Sequence, residues 1–331
     1  MTPAERASAV AFSYKNCELS AIVPSNAMVA AANGYQRGTL ELSDFVRVPE
    51  NQTKHRKAVE SRPWNTRSYD DDESPSTKRT DPSIDDDSSG SRAKKRDESQ
   101  LRDDRIFARS VRLIDYEWPA SGGLDELKII HRGLFVGAMA GAGKLRDDIN
   151  TGELLNDAGA GKSRSDNGSN SDDGNAASRG NGRATNQSNC NDDLQTRQYR
   201  QQQSPYFPSP LIETGAANIF SQLDEGNYFA GLDRAGFIRA LASIYDELNA
   251  LRPFAYGNGM VLRMFISELT HAVGWDLNWG TVTCESYRNA TDLALLEHDI
   301  SGLERMFGSI TRLANPTRIF LISGWDQGPA H

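Results

Sequence analysis

Residues 251–263 have the sequence LRPFAYGNGMVLR, which predicts a tight loop that enters a helix through Gly257, Asn258 and Gly259. Glycines let a backbone approach a ligand closely, and the free N–H groups at a helix N-terminus attract anions. Arg263 follows one helical turn later and could reach the same anion. The residues alone leave two interpretations open: an anion site, or a helix corner in which the glycines only make the bend.

Hydrophobic stripes on both sides of this loop predict helices. Apolar residues that recur every three or four positions form one face of a helix. Asp233 is expected to cap the second of three such faces, and Gly274 is expected to end the third. The members of the three faces are Leu127, Ile130, Leu134 and Ala138; Phe237, Leu241, Ile244 and Leu248; and Leu262, Phe265, Leu269 and Ala272.

Two more helices are expected towards the C-terminus. Thr283 could cap a helix that reaches about His298, and Ser301 could cap one that reaches about Ala314. Strand signals are weak throughout the chain. The predicted fold class is therefore all-α.

Two polar tracts, at about 51–105 and 150–204, interrupt this helical pattern. Only 37% of the 331 residues are hydrophobic and the mean hydropathy is -0.60, and neither tract has the apolar periodicity that would offset the entropy of ordering it. We predict that both tracts are disordered. The expected organisation is a short helical segment over 1–50, a linker, and one domain over 106–325 that the second tract interrupts.

Charge and cysteine content exclude several classes of function. A net charge of -8 and a pI near 5.3 argue against nucleic acid as a partner, because phosphate backbones require a basic face. The cysteines (Cys17, Cys190 and Cys284) are odd in number and far apart, which argues against a disulfide framework or a zinc site.

The chain also lacks the patterns of membrane proteins and of Sec-type export. No stretch approaches about 18 apolar residues, so no membrane span or membrane partner is predicted. No Sec-type signal peptide precedes the helical pattern. A cytoplasmic protein is expected, with a secreted effector as the alternative, since some export signals leave no such trace.

The loop resembles the signature of the Fic (Fido) family, HPFx[D/E]GNGRxxR. Five flanking segments (130–135, 142–146, 207–223, 245–251 and 302–307) are similar to the family's blocks in the same order. The resemblance implies a Fic-type helical bundle, with the second polar tract as a long disordered insertion in the flap region. It also implies an enzyme that moves AMP from ATP onto protein hydroxyls. The matching signature residues are Pro253, Phe254, Gly257, Asn258, Gly259 and Arg263.

Three departures from the signature affect the chemistry that the resemblance implies. Arg252 replaces the His that takes the proton from the target hydroxyl, and a guanidinium cannot act as a base near pH 7. Tyr256 replaces the acidic Mg²⁺ ligand, so no metal site is expected. Met260 replaces the first signature arginine, which contacts the triphosphate, and it offers no donor. The residues left to bind a nucleotide or phosphate are Gly257, Asn258, Gly259 and Arg263.

The N-terminal segment is similar to a small inhibitory helical module that many Fic proteins carry or pair with. In that module a Glu blocks the second signature arginine, here Arg263. Ser13 and Glu18 look like such a motif, although their spacing is one residue too long. Glu18 is thus a candidate inhibitory residue, and an unrelated amphipathic start is the alternative. His131 lies in the upstream helix where the family often has His, and a packing or capping role is expected for it.

Three hypotheses of function follow from the resemblance and its departures. The first is a Fic protein with impaired AMP transfer that still binds a nucleotide such as ATP, with doubtful Mg²⁺ binding and a possible protein target. The second is an active transferase of a nucleotidyl or another phosphate-containing group with altered chemistry. The third is a decaying gene product without a selected function. The sequence does not predict an oligomeric state.

Overall fold

The computed structural model describes residues 1–60, 87–115, 118, 121–146 and 205–314. These residues are mostly helical, which confirms the all-α class. Short 3-10 turns at Ser209–Leu211, Asn227–Phe229 and Trp279–Thr281 connect some of the helices. The helices and strands, in chain order, are α1 (Pro3–Glu18), α2 (Asn26–Gln36), α3 (Leu42–Glu60), α4 (Asp87–Asp115), α5 (Leu124–Phe135), α6 (Ile212–Glu225), α7 (Arg234–Leu251), α8 (Asn258–Ala272), β1 (Trp275–Leu277), α9 (Cys284–Glu297), α10 (Ser301–Ile310) and β2 (Thr311–Leu313).

Helix α8 lies at the centre of the fold. Buried residues occur on all sides of its first three turns, from Asn258 to Ser267, because α1, α5, α7 and β1 pack around it. A helix that is apolar all round is typical of a buried position. The predicted stripe is buried at Leu262 and Phe265 but ends in an exposed Ala272, and the helix stops there, two residues before Gly274.

The other two predicted stripes face the same core. On α7 all four stripe residues are buried, and the side chain of Asp233 accepts a hydrogen bond from the N–H of Gly236 as the predicted N-cap. On α5 the first three stripe residues are buried, whereas Ala138 lies beyond the end of the helix. The packing of α7 and α8 on α5 thus places the loop at 251–263 against the C-terminal half of α5.

The C-terminal elements differ from their prediction at both ends of α10. The predicted cap at Ser301 is wrong, because Ile300 is the N-cap and Ser301 is the first residue of the helix. Thr283 caps α9, as predicted, and His298 follows the helix in a left-handed conformation. The predicted extension of α10 to Ala314 is wrong, because the helix ends at Ile310 and Thr311 begins β2. Strand β2 pairs antiparallel with β1, with Asp276 opposite Arg312. This two-stranded ribbon packs on α8.

The N-terminal helices share the core of the rest of the chain. Val10 and Phe12 on α1 are buried in the same apolar cluster as Phe107 on α4 and Phe265 on α8. The carboxylate of Asp104, buried on α4, accepts hydrogen bonds from the N–H and the hydroxyl of Ser25 at the start of α2 (both 2.7 Å). The first helices are therefore integral to the fold.

The predicted disorder of 51–105 is wrong at both ends of that tract. Helix α3 continues to Glu60, and α4 already begins at Asp87. Residues 61–86 and the whole of the predicted insertion, 150–204, lie outside the described residues. None of the helices in the described ranges combines the length and apolar character that a membrane crossing requires.

Two acidic side chains, the buried Glu126 on α5 and the half-buried Glu268 on α8, lie beside a cleft of about 320 Å³. The carboxylate of Glu126 accepts hydrogen bonds from Trp118 Nε1 (3.1 Å) and from the N–H of Gly122 (2.8 Å). The Oε2 of Glu268 is buried without a hydrogen-bond partner, and burial together with the negative charge of Glu126 raises the pKa of Glu268 to about 8. A carboxyl group with this pKa is protonated at neutral pH.

This acidic pair predicts a loss of stability at alkaline pH. The pKa of Glu268 is about 8 in the folded chain and about 4.5 in the unfolded chain, so the folded state binds the extra proton between those values. The stabilisation is complete below pH 4.5 and is lost as the pH rises through 8. We expect Glu268→Gln, which cannot ionise, to flatten the fall in the urea midpoint between pH 5 and 9. Parallel pH profiles of the parent and the variant would contradict this assignment.

Candidate functional site

The loop between α7 and α8 depends on two left-handed backbone positions. Arg252 ends α7 with a φ of 41°, and Gly257 precedes α8 with a φ of 69°. A Cβ added at Gly257 would lie 2.3 Å from the ring of Phe135 on α5. Glycine is therefore required at 257 both for the backbone conformation and for the close approach of α5.

Asn258 holds the loop closed with both atoms of its side-chain amide. Its Oδ1 accepts a hydrogen bond from the N–H of Phe254 (2.9 Å), and its Nδ2 donates one to the carbonyl of Phe254 (2.8 Å). The side chain is buried. The predicted role of Asn258 in binding a phosphate is thus left to its backbone N–H, at the first position of α8.

His131 supports the loop from below. It is fully buried on α5, and its ring stacks on that of Phe254 at a centroid distance of 4.0 Å. Its Nδ1 accepts a hydrogen bond from the N–H of Gly143 (2.7 Å), so Nε2 carries the proton and donates to the carbonyl of Tyr256 (3.2 Å). Burial lowers the pKa of His131 to about 4. The predicted packing role is confirmed, and both ring nitrogens are engaged in it.

Tyr256 does not fit the part of a metal ligand. Its hydroxyl donates a hydrogen bond to the carbonyl of Ala140, and burial raises its pKa to about 12, so it stays neutral. Mg²⁺ prefers carboxylate and carbonyl oxygens. Among the described residues no group of three or more His, Cys, Asp and Glu side chains is arranged to hold a metal. The hydroxyl of Tyr256 instead holds Ala140 against the loop.

Arg252 packs on the segment that precedes α6. Its guanidinium lies over the ring of Tyr206 at 4.4 Å and donates to the Tyr206 hydroxyl (3.1 Å). Arg146 holds the same corner, with Nε donating to the carbonyl of Arg252 (2.9 Å) and Nη1 donating to the hydroxyl of Ser209 (3.0 Å). The arginine at the expected base position is thus a structural group, and sequence reasoning assigned no role to Arg146 or Tyr206.

Arg263 is buried between α1 and α9, with 1% of its surface exposed. Its Nε donates to Oδ1 of Asn16 (2.7 Å), and its Nη2 donates to the carbonyl of Asn16 (3.0 Å) and to the hydroxyl of Ser20. Its guanidinium lies 4.9 Å from the centre of the Tyr287 ring. The remaining nitrogen, Nη1, is buried without a hydrogen-bond partner.

The structure places Asn16, rather than Glu18, against Arg263. Asn16 also donates from Nδ2 to the carbonyl of Met260 (3.3 Å), so that it bridges the first turns of α8. Glu18 has 55% of its side chain exposed and pairs with Lys15 (2.8 Å). The expected contact of Glu18 with Arg263 is therefore wrong. A polar Asn16 among the buried residues of α1 was the signal that could have identified this contact.

The packing of His131 predicts an acid-sensitive fold. His131→Phe should keep the ring contact but leave the N–H of Gly143 and the carbonyl of Tyr256 unpaired, at a cost of about 2–4 kcal/mol at pH 7.5. The parent binds fewer protons than its unfolded chain between about pH 4 and 6.5, so its stability falls as the pH drops through that window, by roughly 3 kcal/mol.

Urea unfolding of the parent and of His131→Phe from pH 4 to 7.5 measures both effects. The difference between the two proteins should shrink as the pH falls, because the variant has no imidazole to protonate. A difference that stays constant across this range would show that His131 is not held neutral by its burial.

Comparison with known proteins identifies relatives of this chain. No protein-family model matches it. It is 29% identical over 107 residues to "Probable protein adenylyltransferase Fic" of Escherichia coli (strain K12), which covers 32% of this chain and 53% of that protein. It is 31% identical over 96 residues to the protein of the same name from Salmonella typhimurium, covering 29% of this chain and 48% of that protein.

A solved structure is also similar. The structure of the BepC protein of Bartonella tribocorum with bound AMPPNP is 19% identical in sequence to this chain and has a TM-score of 0.46. The alignment covers 66% of this chain and 89% of the BepC chain. The chain spans about half the length of the two curated relatives above. Together with the signature-like loop at the start of α8, these matches show that the chain is similar to proteins of the Fic (Fido) family.

Proposed function

We propose that this chain binds the phosphates of a nucleotide such as ATP at the start of α8 and is impaired in transferring AMP to protein hydroxyls. The binding groups are the backbone N–H groups of Gly257, Asn258 and Gly259 and the guanidinium of Arg263. ATP would supply the AMP group and its leaving group, as expected of a relative of protein adenylyltransferases. The target would be a protein in the cytoplasm, or outside the producing cell if the chain is a secreted effector.

The observation that carries this proposal is the environment of Arg263. A buried guanidinium is stabilised by charges or by full hydrogen bonding. The groups around Arg263 are neutral (Asn16, Ser20, Tyr245 and the Tyr287 ring), and the described salt bridges do not include it. Its Nη1 lies 3.1 Å from the place that a Cβ of Gly259 would take, so it lies against the first turn of α8. An anion there would complete both the guanidinium and the helix N-terminus.

Impaired transfer follows from the groups beside this site. Arg252 cannot take a proton from a hydroxyl, and its guanidinium is engaged with Tyr206. His131 is the histidine in contact with the loop, but its two nitrogens are hydrogen-bonded below the loop and away from the site. A base and a metal ligand each contribute orders of magnitude to the rate. Binding without efficient transfer is the function that these residues support.

We further propose that α1 restricts access to Arg263, with Asn16 in the role that the sequence assigned to Glu18. Asn16 is neutral, so its contact with Arg263 lacks the ion pair that a carboxylate would form. The cover is therefore weaker than a charged one. Deleting residues 1–50 is a poor test of inhibition, because Val10, Phe12 and Cys17 belong to the core. A point change at Asn16 leaves that core intact.

Calorimetry with ATP tests the site. Asn16→Ala should raise the affinity by about fivefold, because a hydrogen-bonded cover contributes about 1 kcal/mol. Arg263→Gln should lower it by tenfold or more, since a charge-assisted contact contributes about 1.5–3 kcal/mol. Arg252→Ala should have a smaller effect, and Arg305→Ala, an exposed arginine on α10, is the control. Equal losses at Arg252 and Arg263, or no ATP binding even by Asn16→Ala, would refute the proposal.

Restoring the family signature tests the cause of the impairment. Arg252→His, Tyr256→Glu and Met260→Arg together should give Mg²⁺-dependent self-labelling with radiolabelled ATP, whereas single changes should do little because these groups act as a unit. Met260 is fully buried, so the arginine should also loosen α1. Strong labelling by the parent would instead support an active transferase with altered chemistry. A folded triple variant that never labels would show that the defect extends beyond the loop.

A further inference from the structure

We infer that the cleft between α5 and the C-terminal half of α8 is a binding site for a small organic cation, a primary ammonium group on an apolar or aromatic body. The cleft has a volume of about 320 Å³, which lies in the range of small-molecule sites. Its lining comes from the start of α5, from the 3-10 turn at Asn227–Phe229 and from α8 between Phe265 and Val273. The site is therefore separate from the loop at 251–263, and the inference goes beyond the proposed function.

One wall of the cleft is an apolar face of α8. The face consists of residues that recur every three or four positions, namely Phe265, Leu269, Ala272 and Val273. Leu269 and Val273 are half-buried, and Ala272 is exposed at the rim. Such a wall can cover the apolar body of a ligand, because it removes carbon surface from water.

The ring of Tyr228 forms a second wall, and an unusual backbone holds it there. Asn227, Tyr228 and Phe229 have φ values of 47°, 48° and 69°, a left-handed conformation that is rare for residues other than glycine. The ring packs closely on Gly122, where an added Cβ would lie 2.9 Å from it. Strained backbone occurs preferentially at functional sites, and an aromatic face attracts cations.

The polar end of the cleft carries two carboxyl groups, and the residues that line it include no lysine, arginine or histidine. The carboxylate of Glu126 is fixed by Trp118 Nε1 (3.1 Å) and by the N–H of Gly122 (2.8 Å). Glu268 is half-buried, and its Oε2 has no hydrogen-bond partner. An ammonium group beside Glu268 would supply both a donor and the opposite charge.

These features favour an organic cation over a metal ion or a neutral ligand. The described His, Cys, Asp and Glu side chains form no group of three or more that could hold a metal, and Ca²⁺ or Mg²⁺ requires about six oxygen ligands. A neutral ligand would leave the charge of Glu126 and the negative end of the α8 dipole without a counter-charge. An ammonium group offers three donors, while its carbon body covers Leu269 and Val273.

Binding of the cation is coupled to the proton of Glu268. Burial and the negative charge of Glu126 raise the pKa of Glu268 to about 8, so this carboxyl group is protonated at neutral pH. Besides these two groups, the titratable side chain in the lining is that of Tyr228. When the ammonium pairs with Glu268, the carboxyl proton passes to solvent, and the ammonium keeps its own protons because its pKa is about 10. The affinity should therefore fall about tenfold for each pH unit below 8.

Calorimetry with tryptamine on the full chain tests this inference, with tryptophol as the neutral analogue in which a hydroxyl replaces the ammonium. At pH 8.5 tryptamine should bind about tenfold more tightly than tryptophol, the effect of a charge-assisted contact. Glu268→Gln should weaken tryptamine by tenfold or more and remove the pH dependence between 6.5 and 8.5. Ala272→Phe, at the exposed rim, should block binding by filling the cleft. Glu285→Gln, an exposed carboxylate on α9, is the control.

Circular dichroism and thermal melting establish that each variant is folded, and Ala272→Phe leaves both carboxyl groups in place. Equal affinities for tryptamine and tryptophol, or a tryptamine affinity that stays constant from pH 6.5 to 8.5, would overturn the assignment of a cation site. Failure of tryptamine to bind at millimolar concentration, or unchanged binding by Ala272→Phe, would show that the cleft is not a site for such a ligand. None of these outcomes depends on whether ATP binds.

Discussion

The buried guanidinium of Arg263 is the group on which the arrangement of this site depends. It fixes α1 through Asn16 and Ser20, it lies over the ring of Tyr287, and its Nη1 lies against the first turn of α8. Burying a cation without a carboxylate partner costs free energy. An anion at the N-terminus of α8, as proposed, would offset this cost, because both the guanidinium and the helix dipole attract it. The position of the N-terminal helix is thus coupled to the properties of the loop.

The loop at 251–263 contains two kinds of residue: those that fix its backbone conformation and those at positions where the family resemblance implies a chemical role. Gly257 is required by its backbone conformation, Asn258 ties the loop to Phe254, and Phe254 stacks on His131. These residues match the Fic signature that the loop resembles, and each has a structural task that does not depend on catalysis. The departures, at Arg252, Tyr256 and Met260, are at positions where the resemblance implies contacts with the substrate. Packing alone therefore accounts for the identity of the matching residues.

Much of the fold could be predicted from the sequence, because helix periodicity and capping are local signals. The buried stripe of α7 and the caps at Asp233 and Thr283 are examples. The polar start of α4 was missed, since residues 87–103 contain few apolar residues and show no helical periodicity. Strand β2 was missed because the extended conformation at Thr311 depends on pairing with β1 rather than on the neighbouring residues in the sequence.

Only the loop of the candidate site could be predicted from the sequence, because the other contacts join residues that are distant in the chain. The loop is a local motif, but Asn16 and Arg263 meet across 247 positions of the chain, and no pattern within either helix specifies that contact. Tyr287 likewise reaches the loop from α9. The spacing of a motif led to Glu18, whereas the helical phase of α1 turns Asn16 inward and Glu18 outward. Contacts of this kind become apparent only when the helices are packed.

Hydrogen–deuterium exchange with and without ATP tests the central claim most directly, because it reports on α1 and α8 together. The account predicts that saturating ATP protects amides at the start of α8 and speeds exchange in peptides that cover residues 13–20, as the contact of Asn16 with Arg263 gives way to the phosphates. Bound ATP that leaves both segments unchanged, or that protects a different part of the chain, would contradict it.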